Sequence, residues 1–276
     1  METFQTIRKL LRIEQWYKNL IIFAPVLFAT SVQPWSNLLL GFIGLCAISS
    51  VTYIANDWLD RSKDRLHPTK KNRPLASGKV TGKEALAVTT VLLLIVVAVI
   101  SQVGIFYGLL IGLYFLFTTA YSLGLKNLPI LDLLLIGANF MLRMAAGLKE
   151  PPEALQIPYF VFLFSLILLF LTHKRRSDIK LLGSTRAAEH KPVLRYYTPF
   201  VCHPIRIAAY LLIVGSSYQL YKAGWPLPQL ILPLALIMYT SALFIKDPAL
   251  VIKPHYLLKN KAWVALLLLC VIAALV

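Results

Sequence analysis

Three of the chain's twelve acidic residues, Asp57, Asp60 and Asp64, fall within eight positions of one another in the stretch NDWLDRSKDRLHPTKKNRP. Asn56 precedes them, and Lys70, Lys71 and Arg73 follow. At about 100° per residue, Asn56, Asp57, Asp60 and Asp64 share one helical face. Carboxylates so close repel each other. A hard divalent cation relieves that repulsion, and Mg²⁺ takes a few protein oxygens together with phosphate oxygens of a substrate. The residues therefore suit a metal–diphosphate site: Asn56, Asp57, Asp60 and Asp64 hold Mg²⁺, Asp57, Asp60 and Asp64 carry the catalysis, and Lys70, Lys71 and Arg73 neutralise the remaining charge. Pro68 disfavours helix at His67, so the acidic helix must end near Asp64 and give way to a basic loop. The competing reading, a solvated loop between apolar segments, would suffice for a single aspartate but not for an ordered cluster that begins inside an apolar helix.

Further polar groups stand at the ends of other apolar segments. Residues 172–197 contain Lys174, Arg175, Arg176, Lys180, Arg186, Lys191 and Arg195, against the acids Asp178 and Glu189. Such a group suits an anionic ligand, with Arg matched to phosphate; it also serves as a topology signal that meets anionic headgroups. Lys174, Arg175, Arg176 and Asp178 are the candidate ligand contacts. His173 reads as structural. Arg143 lies deep in LPILDLLLIGANFMLRMAAG, eleven residues after Asp132, and ionisable groups at such depth face a bundle interior or a cavity. Arg143 and Asp132 either line one cavity or pair with groups on other helices, and Arg143 is a candidate substrate contact. Tyr121 and Lys126 end the preceding segment, and Lys18 and Asn19 stand where the N-terminal lead meets the first apolar run. All four are candidate substrate contacts, Lys126 being equally an interface residue.

The elements that position these groups are membrane helices. The chain has 276 residues, 58% of them hydrophobic and 14% charged, with mean hydropathy +0.70. This is an all-α, polytopic membrane protein. About nine spans of roughly 20 residues are expected, near 19–35, 37–56, 84–103, 105–124, 128–147, 156–173, 199–221, 228–246 and 260–276. Residues 1–18 form an amphipathic surface helix, and 1–276 is one integral-membrane domain. The lead does not read as a cleavable signal peptide. The net charge of +16 does not signal nucleic acid, because the basic residues lie in short loops. With the N-terminus inside, nearly all Lys and Arg fall on the cytoplasmic side; Lys149 and Lys222 lie outside, and Arg143 and Arg206 within spans. Both charged loops then face the cytoplasm, from an inner or plasma membrane. Cys46, Cys202 and Cys270 are far apart and make no metal or redox motif.

Asn56-Asp57-x-x-Asp60-x-x-x-Asp64 resembles the first Asp-rich motif of the UbiA-type intramembrane prenyltransferase superfamily, and the resemblance spans essentially the whole chain. It implies a UbiA-like bundle of about nine helices around a central cavity, with Mg²⁺ and a diphosphate at its cytoplasmic mouth. The family's second Asp-rich motif is reduced here to Asp178, behind His173 and three basic residues. In this the chain is similar to the decaprenyl-phosphate phosphoribosyltransferase branch. It shares that branch's QWxKN (Gln15 to Asn19), HPTKxxRP (His67 to Pro74), YxxGLK (Tyr121 to Lys126), LRxxAG (Leu142 to Gly147) and KRxxE/D (Lys174 to Asp178) runs. That branch implies phosphoribosyl pyrophosphate as donor, a polyprenyl phosphate as acceptor, and membrane lipids as surroundings. A homo-oligomer is compatible with it. The rivals are an ordinary prenyltransferase acting on an aromatic acceptor, and a lipid-phosphate binding or transport protein without chemistry.

Overall fold

A computed structural model describes residues 2–27, 31–66, 70–152, 156–183, 185, 187 and 191–275. The described residues are almost wholly helical, apart from turns and one isolated bridge between Val32 and Leu148. The chain packs as two units, Met1–Leu123 with Asn139–Pro152, and Gly124–Ala138 with Glu153–Val276.

In the first unit, α1 (Glu2–Leu11) is followed by a 3₁₀-type helix, Ile13–Leu27, which contains Pro25. Next come α2 (Trp35–Leu59), the short α3 (Arg61–Leu66), α4 (Gly82–Val103) and α5 (Ile105–Leu123). α2 is the central element. It packs against α4, α5, α1 and the 3₁₀-type helix. From Gly44 to Thr52 every residue of α2 is buried, whereas α4 turns Leu86, Leu93, Leu94 and Val97 outward. Lipid tails are as apolar as leucine, so close backbone approach rather than water exclusion must hold such helices together. Gly41 and Gly44 provide it. A side chain at Gly44 would strike the Tyr107 hydroxyl, and that hydroxyl donates to the Gly41 carbonyl at 2.8 Å. α4 opens on a capping box: the Glu84 amide donates to Thr81 Oγ1 at 3.3 Å, and the Thr81 amide donates back to Glu84 Oε2 at 2.7 Å.

α6 (Leu131–Ala145) contributes its first part to the second unit and its last part to the first. The second unit continues with α7 (Ile157–Leu182), α8 (Pro199–Lys222), α9 (Leu227–Lys246), α10 (Ala249–Ile252) and α11 (Lys261–Leu275). α7 packs mainly on α8, and α9 on α11. α7 begins with Pro158 in its first turn and stops at Gly183, whose φ of +78° suits glycine.

Six described helices, α2, α4, α5, α7, α8 and α9, are long and apolar enough to cross a membrane. The expected spans at 19–35, 128–147 and 260–276 correspond to shorter elements. Pro25 interrupts the first, α6 has 15 residues, and α11 is a short apolar helix. The acidic helix ends near its expected point, since α3 stops at Leu66. His67, Pro68, Arg186 and Glu189 lie outside the described residues.

Candidate functional site

The first unit gathers charge at the C-terminal end of α2. The helical ladder continues across the break into α3, with Asp60 N donating to Asn56 O at 2.9 Å and Asp64 N to Asp60 O at 2.8 Å. That continuity keeps the carboxylates on one side. Asp57 and Asp64 are buried, at 3% and 4% exposure, while Asn56 and Asp60 are half-buried. Two guanidinium groups compensate the buried pair. Arg73 Nη1 donates to Asp57 Oδ1 at 3.1 Å and to Asp64 Oδ2 at 2.7 Å, and Arg12 Nη2 donates to Asp57 Oδ1 at 2.6 Å. The Asp60 carboxylate accepts no hydrogen bond from any described residue.

Arg73 is positioned by the turn that follows Lys70–Asn72, its amide bonding to Lys70 O at 2.9 Å. Lys71 is exposed and Lys70 half-buried. Arg12 reaches Asp57 because it ends α1 with φ +50°, a left-handed turn that a non-glycine residue adopts only when its surroundings hold it there. Its guanidinium also lies over the Tyr53 ring, 4.7 Å from the centroid. The sequence reading missed Arg12. It looked like one more basic residue of an amphipathic lead, and no local spacing links it to a carboxylate 45 positions away.

Deeper along α2, a second polar group lies inside the same unit. Arg143 is 7% exposed, and its Nη2 donates to the Tyr114 hydroxyl at 2.9 Å. Tyr114 meets Ser49 Oγ at 3.2 Å, and Asn19 Nδ2 donates to Ser49 Oγ at 3.5 Å and to Cys46 Sγ at 3.3 Å. Thr118 Oγ1 donates to Asn139 Oδ1 at 3.3 Å. Asn19 is thus buried as well as polar, whereas Lys18 and Tyr121 are half-buried.

The second unit has its own cluster around Asp132, which is fully buried. Arg175 Nη2 donates to Asp132 Oδ2 at 3.0 Å, Lys191 Nζ donates to the same oxygen at 3.3 Å, and the Tyr197 hydroxyl donates to Oδ1. Burial pushes the Lys191 ammonium down to about 8. Arg175 pushes the same way, and Asp132 opposes them. Burial, then the bond and charge of Asp132, push the Tyr197 phenol up. Arg176 Nη1 donates to the Tyr197 carbonyl at 3.1 Å. So Arg175 and Arg176 are engaged by protein groups, Lys174 is exposed, and Asp178 and Lys126 are half-buried. Asp132 and Arg143, which the sequence placed on one helical face, each pair with groups of other elements.

Among the described residues, no three His, Cys, Asp or Glu side chains converge as a metal cage. The oxygens of Asp57 and Asp64 converge instead on one cation, the Arg73 guanidinium. This donor set is hard and anionic, which is chemistry that fits a divalent cation carrying phosphate.

A family profile described as the UbiA prenyltransferase family matches residues 20–251. A decaprenyl-phosphate phosphoribosyltransferase of Corynebacterium glutamicum is 31% identical over 229 residues, covering 80% of this chain and 68% of that protein. One from Mycolicibacterium smegmatis is 26% identical, covering 75% and 67%. The solved structure of a UbiA homolog from Archaeoglobus fulgidus bound to GPP and Mg²⁺ superposes with a TM-score of 0.68 at 17% identity, covering 98% of this chain and 100% of that one.

Proposed function

This chain belongs to the UbiA prenyltransferase family, and we propose that it moves a 5-phosphoribosyl group from phosphoribosyl pyrophosphate to a polyprenyl phosphate, releasing diphosphate. The observation that carries the reading is the pair Asp57 and Asp64 gathered at the end of α2 with Arg12 and Arg73. The names of the phosphoribosyltransferase relatives support it, and so does the scarcity of acids in the C-terminal part of α7, where Asp178 stands among basic residues.

Asn56, Asp57, Asp60 and Asp64 would hold Mg²⁺, which supplies charge neutralisation for the diphosphate when bound. Arg73 then turns from the carboxylates to the departing diphosphate, together with Lys70 and Lys71. The C1–O bond of the ribose breaks toward that diphosphate, and a lipid phosphate oxygen attacks C1 from the opposite face. The acceptor is already an anion and needs no general base. Catalysis is then positioning and electrostatic stabilisation. Lys18, Tyr121, Lys126, Lys174, Arg175, Arg176 and Asp178 are the remaining candidates for substrate contact. For Arg175 and Arg176 this requires release from their present partners. The site faces the cytoplasm of a cell membrane, where charged donors are made.

The test uses purified protein in detergent with labelled phosphoribosyl pyrophosphate, a polyprenyl phosphate and Mg²⁺. Label entering the lipid extract with wild type, and not after chelation or in Asp60→Asn, is the expected result. No transfer, with prenylation of an aromatic acid from a prenyl diphosphate instead, sinks the reading in favour of an ordinary prenyltransferase. Silence in both assays from folded protein moves it to binding or transport.

A further inference from the structure

Resting on the phosphoribosyl reading above, we propose that Arg143, with Tyr114 and Asn19, forms a subsite for the phosphorylated C5 end of the donor sugar. Arg143 is a buried cation without a counter-ion: no carboxylate of a described residue lies within ion-pair distance of it. Its contacts are the Tyr114 hydroxyl at 2.9 Å, the Asn139 carbonyl at 3.4 Å, and the Tyr114 and Phe140 rings, 4.6 and 5.3 Å from its guanidinium carbon. Its Nε has no partner among the described residues. A buried charge in that condition is costly, and inside a membrane protein it marks a place where a ligand completes the site.

The same network holds a second unfilled atom of opposite kind. Asn19 is 1% exposed, and its Oδ1 accepts nothing from the described residues. Arg143 and Asn19 are linked through Tyr114 and Ser49. One end lacks an anion and the other lacks a hydrogen-bond donor. A phosphate attached to a hydroxylated carbon frame satisfies both, and an isoprenoid tail satisfies neither.

Position along α2 supplies the rest. Ser49, Tyr53 and Asp57 are spaced at four residues and form one stripe. Ser49 touches the Arg143 network, the Tyr53 ring lies under Arg12, and Asp57 belongs to the carboxylate cluster. Eight residues of helix separate the ends by about 12 Å. The stripe has cations at both ends, Arg143 beside Tyr114 at one, Arg12 and Arg73 at the other. A ribose with a diphosphate on C1 and a phosphate on C5 is charged at both ends too. The carboxylate end takes the metal-bound diphosphate, so the Arg143 end takes the 5-phosphate, and Asn19 takes a ribose hydroxyl.

The test compares phosphoribosyl pyrophosphate with ribosyl 1-diphosphate, which lacks the 5-phosphate, in the detergent transfer assay on wild type, Arg143→Lys and Arg143→Gln. Wild type should prefer the phosphorylated donor. Arg143→Gln should lower kcat/KM for that donor on the order of 10- to 100-fold, mainly through KM, with little effect on ribosyl diphosphate, and Arg143→Lys should retain part of the preference. Thermal unfolding gives a second reading. Without ligand, Arg143→Met should melt no lower than wild type, and ribose 5-phosphate should raise the midpoint of wild type but not of Arg143→Gln. Equal loss on both donors, or collapse of the folded state in Arg143→Met, would make Arg143 a structural charge and overturn the subsite while leaving the transfer reading intact. A wild type that transfers neither group would overturn the transfer reading itself.

Discussion

Arg73 serves two buried carboxylates at once, and this decides how the neighbouring residues respond to change. Asp57 and Asp64 are each compensated, so removing either charge disturbs a buried ion pair as well as any ligand. Asp60 is half-buried and bears no partner among the described residues, which separates the two effects. Asp60→Asn should fold normally and lose transfer activity by on the order of 10²-fold or more, checked by activity beside a melting curve. Lys191 offers a pH-dependent test. Its folded value is about 8, below the ordinary lysine value, so between those limits the unfolded chain holds a proton that the folded chain has released. Folding therefore gains stability as pH rises from about 8 toward the ordinary value. Acylation of Lys191 followed by mass spectrometry should show a midpoint near pH 8, and Asp132→Asn, which removes the opposing charge, should move it lower.

At the scale of elements, α2 works because its small residues let α5 and the 3₁₀-type helix close on it. A side chain at Gly44 meets the Tyr107 hydroxyl and also Val99 at 3.0 Å. Gly44→Val should cost about 1–3 kcal/mol by overpacking, read from denaturant titration in detergent, with Gly112→Val as the tolerated control because nothing lies within 4 Å there. In the second unit, the segment before α8 is tied to α6 through Asp132. Asp132→Asn removes the buried carboxylate that pairs with Arg175 and Lys191, and should cost about 3–5 kcal/mol in the same titration. The polar ends of these helices were legible in the sequence as breaks in hydropathy. Their partners were not, because an ion pair between distant segments leaves no local period.

For the whole molecule, the distribution of basic residues sets orientation. Cysteines introduced at the exposed positions Lys71 and Lys174 should react with a membrane-impermeant reagent only from the cytoplasmic face, and those at Lys149 and Lys222 only from the opposite face, measured in whole cells and inverted vesicles. Labelling of Lys71 and Lys149 from the same side would contradict the proposed orientation. The two units, each with a charged cluster of its own, were not apparent from a chain that shows no linker and no change of composition.

Composition and period were enough to determine an all-helical membrane protein, because any backbone crossing lipid must satisfy its own hydrogen bonds and an α-helix does so locally. The Asp57, Asp60 and Asp64 spacing likewise determined one acidic helical face, since that is a property of the helix itself. Only the tertiary structure decided that Arg12 shares Asp57 with Arg73, that Asp132 is neutralised by Arg175 and Lys191, and that Arg143 is left with Tyr114 and no carboxylate among the described residues. Those outcomes depend on which distant charges packing brings within 4 Å, and Coulomb energy in a buried setting is decided by that distance rather than by order along the chain.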